Sequence, residues 1–577
     1  GGPKLPASGS LGGAGERLDP WSRALAALGI ALALYLYLGR LDGTPLQRGN
    51  EAMYASPPAL MLKNRDWLVP IYRGDHFLDK PILPIWVVAA SYRLLGVSVF
   101  AERLPIALAG LATCLLLGLW VGRRSGERAG VLASLALAFS FLFVFTGMTF
   151  VADAFLTLSI LAAAIVLDGA CRVEGSDLAW GVASGAALAL AFYFKGLVGI
   201  VLPAGAVVAT LAIDRRFPRR IWARAAWALL ALVALLAPYH VAMDRRLGWA
   251  FWDVFYWKNQ FLRGASHIYM RPNRGPLFYV GLLAWGLFPW ALQIPVSIRR
   301  ARPSSLPLGA LAFGLAFWSP LVMKREVYGI TLLPAAAALV AEGFATGGRG
   351  REIARRVLWA LGAAFAVALL VVLVRAFPFL TRAAGADVVR FLLASLLLLA
   401  ASLAACAAAP RSPREALAAA LACGLVCLGG RLADERFGRF DPLPAWGERA
   451  RAACASGCDG FVFGEDVTSL EFYSGFDWMP VIDPGREIPA LMRHRTAFVV
   501  MRSSMEAALA ELPYRYEVLD RCATYGSYSI DQFLGPRKGS DVMLSLVRIQ
   551  RTDTPLPPGE GAGVRGLPSP ASPGSVE

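Results

Sequence analysis

Residues 82–96 read ILPIWVVAASYRLLG, and the placement of this run decides the topology of the whole chain. The run is apolar but short, it follows Pro81, and it carries Arg93 near its end. A membrane-spanning helix needs about 20 mainly apolar residues, whereas a shorter run can form a helix that lies along the membrane surface. Length and periodicity therefore leave this run open between a span and an interfacial helix.

The composition of the chain indicates an integral membrane protein. Of its 577 residues, 56% are hydrophobic and only 17% are charged, and the mean hydropathy is +0.52. This apolar share exceeds that of soluble globular proteins. The net charge of +16 would suggest nucleic-acid binding in a soluble protein. In a membrane protein such a charge first indicates arginines in cytoplasmic loops, so we expect no nucleic-acid partner.

About thirteen other runs satisfy the length rule for membrane-spanning helices. The first follows a Gly- and Pro-rich tail, and the last ends near Gly430, where the composition becomes polar. The predicted spans are 21–39, 101–121, 129–148, 152–171, 178–194, 196–213, 222–242, 276–297, 306–323, 327–345, 354–375, 389–409 and 414–430.

The positive-inside rule resolves the placement of residues 82–96. If this run lies at the surface and the N-terminus is cytoplasmic, the arginine-rich loops RRSGER (123–128) and DRRFPRR (214–220) both face the cytoplasm. Counting the run as a span would place these loops outside. We therefore predict a juxtamembrane helix, and we expect membrane lipids around it.

The sequence predicts four regions. The fold class is an all-α polytopic membrane protein with a small C-terminal α/β domain in the periplasm. In that domain the strand-like runs GFVFG, AFVVM and LSLVRI alternate with helical ones. The regions are a flexible tail (1–20), the membrane domain (21–430), the α/β domain (431–550) and a disordered Pro/Gly-rich tail (551–577).

Three of the eight cysteines lie in the polar C-terminal region: Cys454, Cys458 and Cys522. The other five fall in or at the edge of apolar segments, where a thiol usually packs like a small hydrophobic side chain. None of the spacings defines a metal site. A disulfide among the three C-terminal cysteines requires that this region face an oxidising compartment.

Ionisable residues cluster on the predicted outer face of the membrane. Each cluster also has an ordinary interpretation, as a solvated loop, a helix cap, an interfacial side chain or a headgroup anchor. An acidic residue at the edge of the hydrocarbon nonetheless indicates function, and a lysine is a strong partner of phosphate. The clusters comprise Glu51, Asp79 and Lys80; Asp153; Asn259, Arg263 and His267; and Lys324, Arg325 and Tyr328.

The order of these motifs resembles the lipid-phosphate-dependent glycosyltransferases of the GT-C superfamily, in particular the bacterial aminoarabinose lipid A transferases and the protein O-mannosyltransferases. The likeness covers about residues 20–345 and rests on several motifs in the right order. These are NEAMYA (50–55), DWLVPIYRGDHFLDKPILPIWV (66–87), FAERLPIALAG (100–110), KGLVGIVLP (195–203) and KREVYGITLLP (324–334).

This resemblance implies inverting transfer of a sugar from a polyprenyl phosphate, such as undecaprenyl phosphate, to a lipid A, protein or glycan acceptor. The reaction would occur on the periplasmic face of the bacterial inner membrane. Asn50, Glu51 and Asp153 take the catalytic positions, and Asp79 with His267 would share a divalent cation. The positions that bind the lipid phosphate or the sugar are Tyr54, Lys80, Asn259, Arg263, Lys324, Arg325 and Tyr328.

Two residues depart from the family pattern. Asn50 and Met53 stand where family members carry an acid and a phosphate-binding arginine, so the base role would pass to Glu51 or Asp153. The alternatives to an active transferase are a degenerate family member and a transporter or lipid-carrier binding protein. A transporter would place its ionisable residues near the bilayer midplane, whereas here they cluster at one surface, which favours transfer.

Overall fold

The structure is a computed structural model in which the chain forms two compact units. The first comprises residues 1–43, 61–70 and 77–434, and the second comprises 44–60, 71–76 and 435–577. The predicted tails fall outside the described residues, except at 18–20 and 551. The described residues are 18–46, 50–72, 75–147, 151–262, 274–298, 305–344, 349–375, 381, 384–410, 412–438, 441–454, 457–463, 469–476, 478–524 and 542–551.

Most of the described chain is helical. Two irregular segments matter for the site, a π-helix at Trp252–Leu262 and a 3-10 helix at Glu326–Leu332. The α-helices of more than three residues are α1 (Pro20–Leu38), α2 (Asn50–Asn64), α3 (Leu83–Leu95), α4 (Val99–Ser125), α5 (Glu127–Ala138), α6 (Phe141–Gly147), α7 (Val151–Arg172), α8 (Asp177–Lys195), α9 (Val198–Asp214), α10 (Arg220–Leu247), α11 (Phe278–Gly286), α12 (Ile294–Ile298), α13 (Leu306–Trp318), α14 (Leu333–Phe344), α15 (Arg349–Arg375), α16 (Ala386–Ala408), α17 (Pro413–Gly438), α18 (Leu443–Ala453), α19 (Ser469–Ser474) and α20 (Pro484–Leu491).

Nine helical segments of the described chain are long and apolar enough to cross a membrane: α1, α4, α7, α8, α10, α15, α16, α17, and α14 together with the 3-10 helix before it. A tenth candidate is the pair Phe278–Gly286 and Trp290–Ile298, which is bent by 114° where we predicted one span over 276–297. Helices α3, α9 and α13 are apolar but shorter. The predicted count of about thirteen spans stays a prediction, as does the surface position of α3.

The predicted span 129–148 is not one continuous helix, and its crossing of the membrane stays a prediction. Helix α5 ends at Ala138 and α6 begins at Phe141. The polar groups at the break have partners: the hydroxyl of Tyr37 donates to the carbonyl of Ala138 (3.1 Å), and the hydroxyl of Ser140 donates to the carbonyl of Gly286. Because backbone groups left unpaired in lipid are costly, these side chains make the interruption tolerable.

Side-chain caps fix where several helices begin. The carboxylate of Asp19 accepts the N–H of Trp21 (3.1 Å) ahead of α1. The hydroxyl of Ser98 accepts the N–H of Ala101 (3.2 Å) ahead of α4, and Ser176 caps α8 in the same way. Each cap satisfies an amide that has no partner within its helix, so the boundaries are encoded locally.

Small residues allow the helices of the first unit to pack closely. A Cβ added to Gly185 on α8 would lie 2.4 Å from the carbonyl oxygen of Ala228 on α10. A Cβ added to Gly130 on α5 would lie 2.5 Å from the carbonyl oxygen of Gly118 on α4. Glycine at such contacts lets backbones approach each other, as is common between membrane helices.

The second unit contains a five-stranded mixed sheet with strand order β4-β3-β5-β7-β6. Strand β3 is parallel to its neighbours β4 and β5, whereas β7 is antiparallel to both β5 and β6. Predicted strand runs form β3, β5 and β7, and the sequence did not indicate β4 or β6. The strands are β1 (Ile71–Tyr72), β2 (Asp75–His76), β3 (Asp459–Phe463), β4 (Trp478–Val481), β5 (Thr496–Arg502), β6 (Arg515–Thr524) and β7 (Val542–Gln550).

A disulfide joins Cys454 to Cys458, with 5.5 Å between their Cα atoms, between the end of α18 and the start of β3. Cys522 is half-buried and takes no part in this disulfide, and burial raises the pKa of its thiol. Of the three cysteines considered for a disulfide, the structure thus pairs the two that are closest in sequence.

Candidate functional site

A buried ion pair joins the start of α7 to the end of α8. Asp153 is in the first turn of α7, and Lys195 is the last residue of α8. The ammonium of Lys195 contacts Oδ1 of Asp153, and each side chain is only 9% exposed. An ammonium and a carboxylate are expensive to remove from water singly, so each makes burial of the other tolerable.

Tyr328 adds an aromatic face to this pair. The Nζ of Lys195 lies 4.7 Å from the centre of the Tyr328 ring, within the range of a cation–π contact. The ring of Tyr328 also stacks on Trp318, with ring centres 4.6 Å apart. The Lys195 ammonium therefore contacts both the Tyr328 ring and the carboxylate of Asp153, and Trp318 packs against that ring.

Asp79 and Lys80 form a second polar cluster at the start of α3. The amide of Asn259, on the π-helix, approaches Oδ1 of Asp79 at 3.4 Å and donates to the carbonyl of Val254 at 2.8 Å. The ammonium of Lys80 donates to the backbone carbonyl of Asp79 (3.0 Å) and is half-buried. Asn259 is thus brought to the acidic member of the predicted pair.

Lys324 and Arg325 precede the 3-10 helix that carries Tyr328. Lys324 is 8% exposed, and its ammonium donates to the carbonyl of Leu321 (2.6 Å). The guanidinium of Arg274 donates to the carbonyl of Lys324 (3.1 Å) and pairs with Glu326 (2.5 Å). These contacts fix the backbone of the basic segment immediately before Tyr328.

Asp66, which follows α2, forms an ion pair with Arg246 near the end of α10 (2.5 Å). Burial acts to raise the pKa of Asp66. The backbone N–H groups of Leu68 and Val69, together with the Arg246 guanidinium, outweigh burial and hold the pKa of Asp66 below its ordinary value. The carboxylate is therefore charged over the whole physiological pH range.

The predicted residues of the NEAMYA motif (50–55) belong to the second unit. Glu51 and Tyr54 lie on α2 and are 1% and 6% exposed. Met53 is half-buried, and the side chain of Asn50 lies outside the described residues. Arg263 and His267 also lie outside the described residues. The roles predicted for the site residues of this paragraph stay predictions.

Within the described part of the chain, no group of three or more His, Cys, Asp and Glu side chains could hold a metal ion. Asp79 supplies one carboxylate there. Its predicted partner His267 lies outside the described residues. Two ligands are also fewer than the three or four that a zinc site uses, so we derive no chemical step through a metal.

Lys195 is the site residue that sequence reasoning missed. It begins the KGLVGIVLP motif, but the motif alone assigns the lysine no role. A signal existed, because a lysine at the end of an apolar helix needs a partner if it is buried, and Asp153 begins the preceding span on the same predicted face.

Comparison with known proteins identifies what this arrangement is similar to. Residues 79–241 match the sequence model of the family described as dolichyl-phosphate-mannose-protein mannosyltransferase. The undecaprenyl phosphate-alpha-4-amino-4-deoxy-L-arabinose arabinosyl transferase of Aeromonas salmonicida is 31% identical over 358 residues, which is 59% of this chain and 64% of that protein. The enzyme of that name from Aeromonas hydrophila is 32% identical over 362 residues, again 59% and 64%. The match therefore spans slightly less than two thirds of the length of these relatives.

The crystal structure of ArnT from Cupriavidus metallidurans bound to undecaprenyl phosphate superposes with a TM-score of 0.71 at 19% identity. The likeness covers 91% of this chain and 98% of that one. This chain has the ArnT fold. The apo form of the same ArnT gives a TM-score of 0.70. The resemblance predicted from the motif order is confirmed, and the ArnT-like chain is a multi-pass membrane protein.

Proposed function

We propose that the chain transfers a sugar from a polyprenyl phosphate to an acceptor hydroxyl at the periplasmic face of the bacterial inner membrane. The observation that carries this proposal is the buried cluster of Asp153, Lys195 and Tyr328 in an ArnT fold. Buried, paired ionisable groups at helix ends in a membrane protein indicate a functional site.

The transfer needs one proton acceptor and a stabilised leaving group. The acceptor oxygen attacks the anomeric carbon, and the bond from that carbon to the phosphate oxygen breaks with its electron pair leaving on the lipid phosphate. The hydroxyl proton passes to a carboxylate, for which Asp153 and Glu51 are the proposed bases. General-base assistance of this kind is worth roughly 10²- to 10⁴-fold.

The departing lipid phosphate gains negative charge, which cations and hydroxyl donors stabilise. We assign this role to Lys80, Lys324, Arg325 and the hydroxyl of Tyr328. The fixed backbone from Lys324 to Glu326 supports the assignment, because a held backbone limits the freedom that these side chains must lose on binding. Tyr54, Asn259 and Arg263 are proposed to contact the sugar or the phosphate.

The departures at Asn50 and Met53 shape the proposal. An amide cannot accept the proton as a base, and a thioether cannot hold a phosphate. The proposed base is therefore Asp153 or Glu51. A chain that binds the lipid phosphate but turns over no donor would instead be a degenerate member of its fold family.

The names of the relatives supply the first donor to test. Undecaprenyl phosphate-α-4-amino-4-deoxy-L-arabinose is named in the relatives' descriptions, and we propose a sugar of this class as donor. The proposed acceptors are lipid A, a protein or a glycan. The Cys454–Cys458 disulfide supports placing the C-terminal unit in the oxidising periplasm. A divalent cation at Asp79 remains part of the proposal, without a step assigned to it.

The proposal is tested by transfer from undecaprenyl phosphate-4-amino-4-deoxy-L-arabinose to lipid A with the purified full chain in nanodiscs. Lys80→Met and Tyr328→Phe should each lower turnover by at least tenfold, since each removes a donor to the leaving phosphate. Lys63→Met removes an exposed lysine at the end of α2 and serves as the matched control. If the wild type transfers the sugar and both site variants turn over at the wild-type rate, the assignment is contradicted.

A further inference from the structure

The π-helix Trp252–Leu262 contacts both polar clusters of the site. Its Asn259 approaches the carboxylate of Asp79, and the next residue, Gln260, reaches the turn that follows Lys195. Segments of π-helix are rare and occur often at functional sites, because the wider turn re-aims side chains. Here two consecutive side chains serve two separate parts of the site.

Gln260 is closely fitted to the turn between α8 and α9. Its Oε1 accepts the backbone N–H of Leu197 at 3.2 Å. Gly196 lies at that turn with φ of +77°, a left-handed conformation that glycine adopts at little cost. A Cβ at Gly196 would lie 2.6 Å from Oε1 of Gln260 and 2.7 Å from its Nε2, so the amide fills the space beside the glycine.

The turn held by Gln260 begins directly after Lys195. The backbone N–H of Gly196 closes α8 by donating to the carbonyl of Phe192, so the last helical residue and the turn share one rigid frame. A lysine side chain is long and rotatable, and its direction depends on the frame that carries it. The frame here aims the Lys195 ammonium at Asp153 and the ring of Tyr328.

The π-helix is anchored from its other side. Nε2 of His240, on α10, lies 2.6 Å from the hydroxyl of Tyr256, and Nδ1 of His240 lies 2.7 Å from the carbonyl of Leu236. Tyr256 also stacks on Trp252, with ring centres 5.4 Å apart. The segment that presents Gln260 is therefore fixed to α10 rather than held by Gln260 alone.

We propose that Gln260 is a positioning residue, which holds the Gly196–Leu197 turn so that the Lys195 ammonium stays seated between Asp153 and Tyr328. The effect of Gln260 on sugar transfer rests on the proposed function, whereas its effect on the position of Lys195 does not. Gln260 touches none of the reacting groups in this role and acts through the turn.

The test measures the acylation rate of Lys195 by a water-soluble N-hydroxysuccinimide acetate, read by mass spectrometry on the full chain in nanodiscs. Gln260→Met keeps the length of the side chain but removes the acceptor. It should raise the acylation rate about fivefold, because the net free energy of one hydrogen bond corresponds to about that factor in an equilibrium constant. Gln260→Glu keeps an acceptor oxygen and should stay near the wild-type rate. Lys258→Met, on the same π-helix, is the control for removing an exposed polar side chain.

Gly196→Ala is the second variant, because its Cβ would displace the Gln260 amide and should also raise the labelling of Lys195. If either variant folds and Lys195 is labelled at the wild-type rate, the proposal is wrong. In a transfer assay Gln260→Met should lower kcat by roughly tenfold with a smaller change in KM. Absence of transfer by the wild type would contradict the proposed function and leave the labelling result intact, so the two failures are distinguishable.

Discussion

At the scale of single residues, the pairing of Lys195 with Asp153 has the largest energetic consequence. Both side chains are almost fully buried, and the ammonium also lies against the ring of Tyr328. Removing one member leaves the other charge buried without compensation, whereas removing both can be nearly neutral. This asymmetry separates the contribution of the pair to stability from its contribution to chemistry.

We expect Asp153→Asn to lower the free energy of unfolding by about 3–5 kcal/mol, because the Lys195 ammonium loses its charged partner. The double variant Asp153→Asn with Lys195→Met should recover most of that loss. Thermal unfolding of the purified protein in detergent measures both. A single variant as stable as the wild type would show that the two charges are not paired in the folded protein.

Residue chemistry is the part of the proposed site that the sequence indicates most directly, and the predicted roles stay predictions. Asp153 stood out as an acid at the start of a span, and Lys80 and Tyr328 stood out in motifs with a known order. Lys195 and Gln260 did not stand out, because their roles depend on which helix ends meet, and a sequence pattern does not contain that information.

At the scale of elements, the contact of α8 with α10 depends on a glycine where the two backbones meet. A Cβ at Gly185 would come within 2.4 Å of the carbonyl of Ala228 and 2.7 Å of the side chain of Ala231. Helix α8 ends in Lys195, and α10 carries His240, which anchors the π-helix. This packing therefore also sets the distance between Lys195 and that anchor. Rigid elements of this kind position functional groups better than loops.

Gly185→Ala should destabilise the protein by about 1–3 kcal/mol, because α8 and α10 must move apart to admit the methyl group. Gly281→Ala is the matched control: the position is also helical, but a Cβ there meets nothing within 4 Å. The control should be neutral or slightly stabilising, since alanine favours the helix. Equal melting temperatures for the two variants would contradict the close packing.

Element type was predictable where apolar runs are long. Interruptions were not: the break after Ala138 depends on Tyr37, which is 101 residues away, and the bend after Gly286 lies inside a run that reads as one span. Composition reports length and hydrophobicity, whereas a broken helix requires distant side chains that satisfy the freed backbone groups.

At the scale of the whole molecule, residues 44–60 and 71–76 belong with the C-terminal residues in the second unit, which the sequence did not indicate. The predicted domain boundaries, including the one near residue 430, stay a prediction. The second unit has its own core on both faces of the mixed sheet. An ion pair between Glu506 and Arg521 lies at its surface, with Nη2 to Oε2 at 2.7 Å.

This ion pair predicts a pH dependence. The hydrogen bond from Arg521, with a second from Ser545, lowers the pKa of Glu506 below its ordinary value. A depressed carboxyl pKa stabilises the fold above about pH 4.3, the value in an unfolded chain, and this contribution is lost as the pH falls through the lowered pKa. Hydrogen-exchange protection of β6, corrected for intrinsic rates, should fall more between pH 6 and pH 3 in the wild type than in Glu506→Gln. Parallel curves would contradict the coupling.

The most direct test of the whole account is release of undecaprenyl phosphate from undecaprenyl phosphate-4-amino-4-deoxy-L-arabinose in the presence of lipid A. The comparison is between the wild type and the Asp153→Asn, Lys195→Met double variant, which the charge argument expects to be folded. The account predicts release by the wild type and a loss of at least 100-fold in the double variant. Equal rates of release would contradict the claim that this buried pair belongs to the active site.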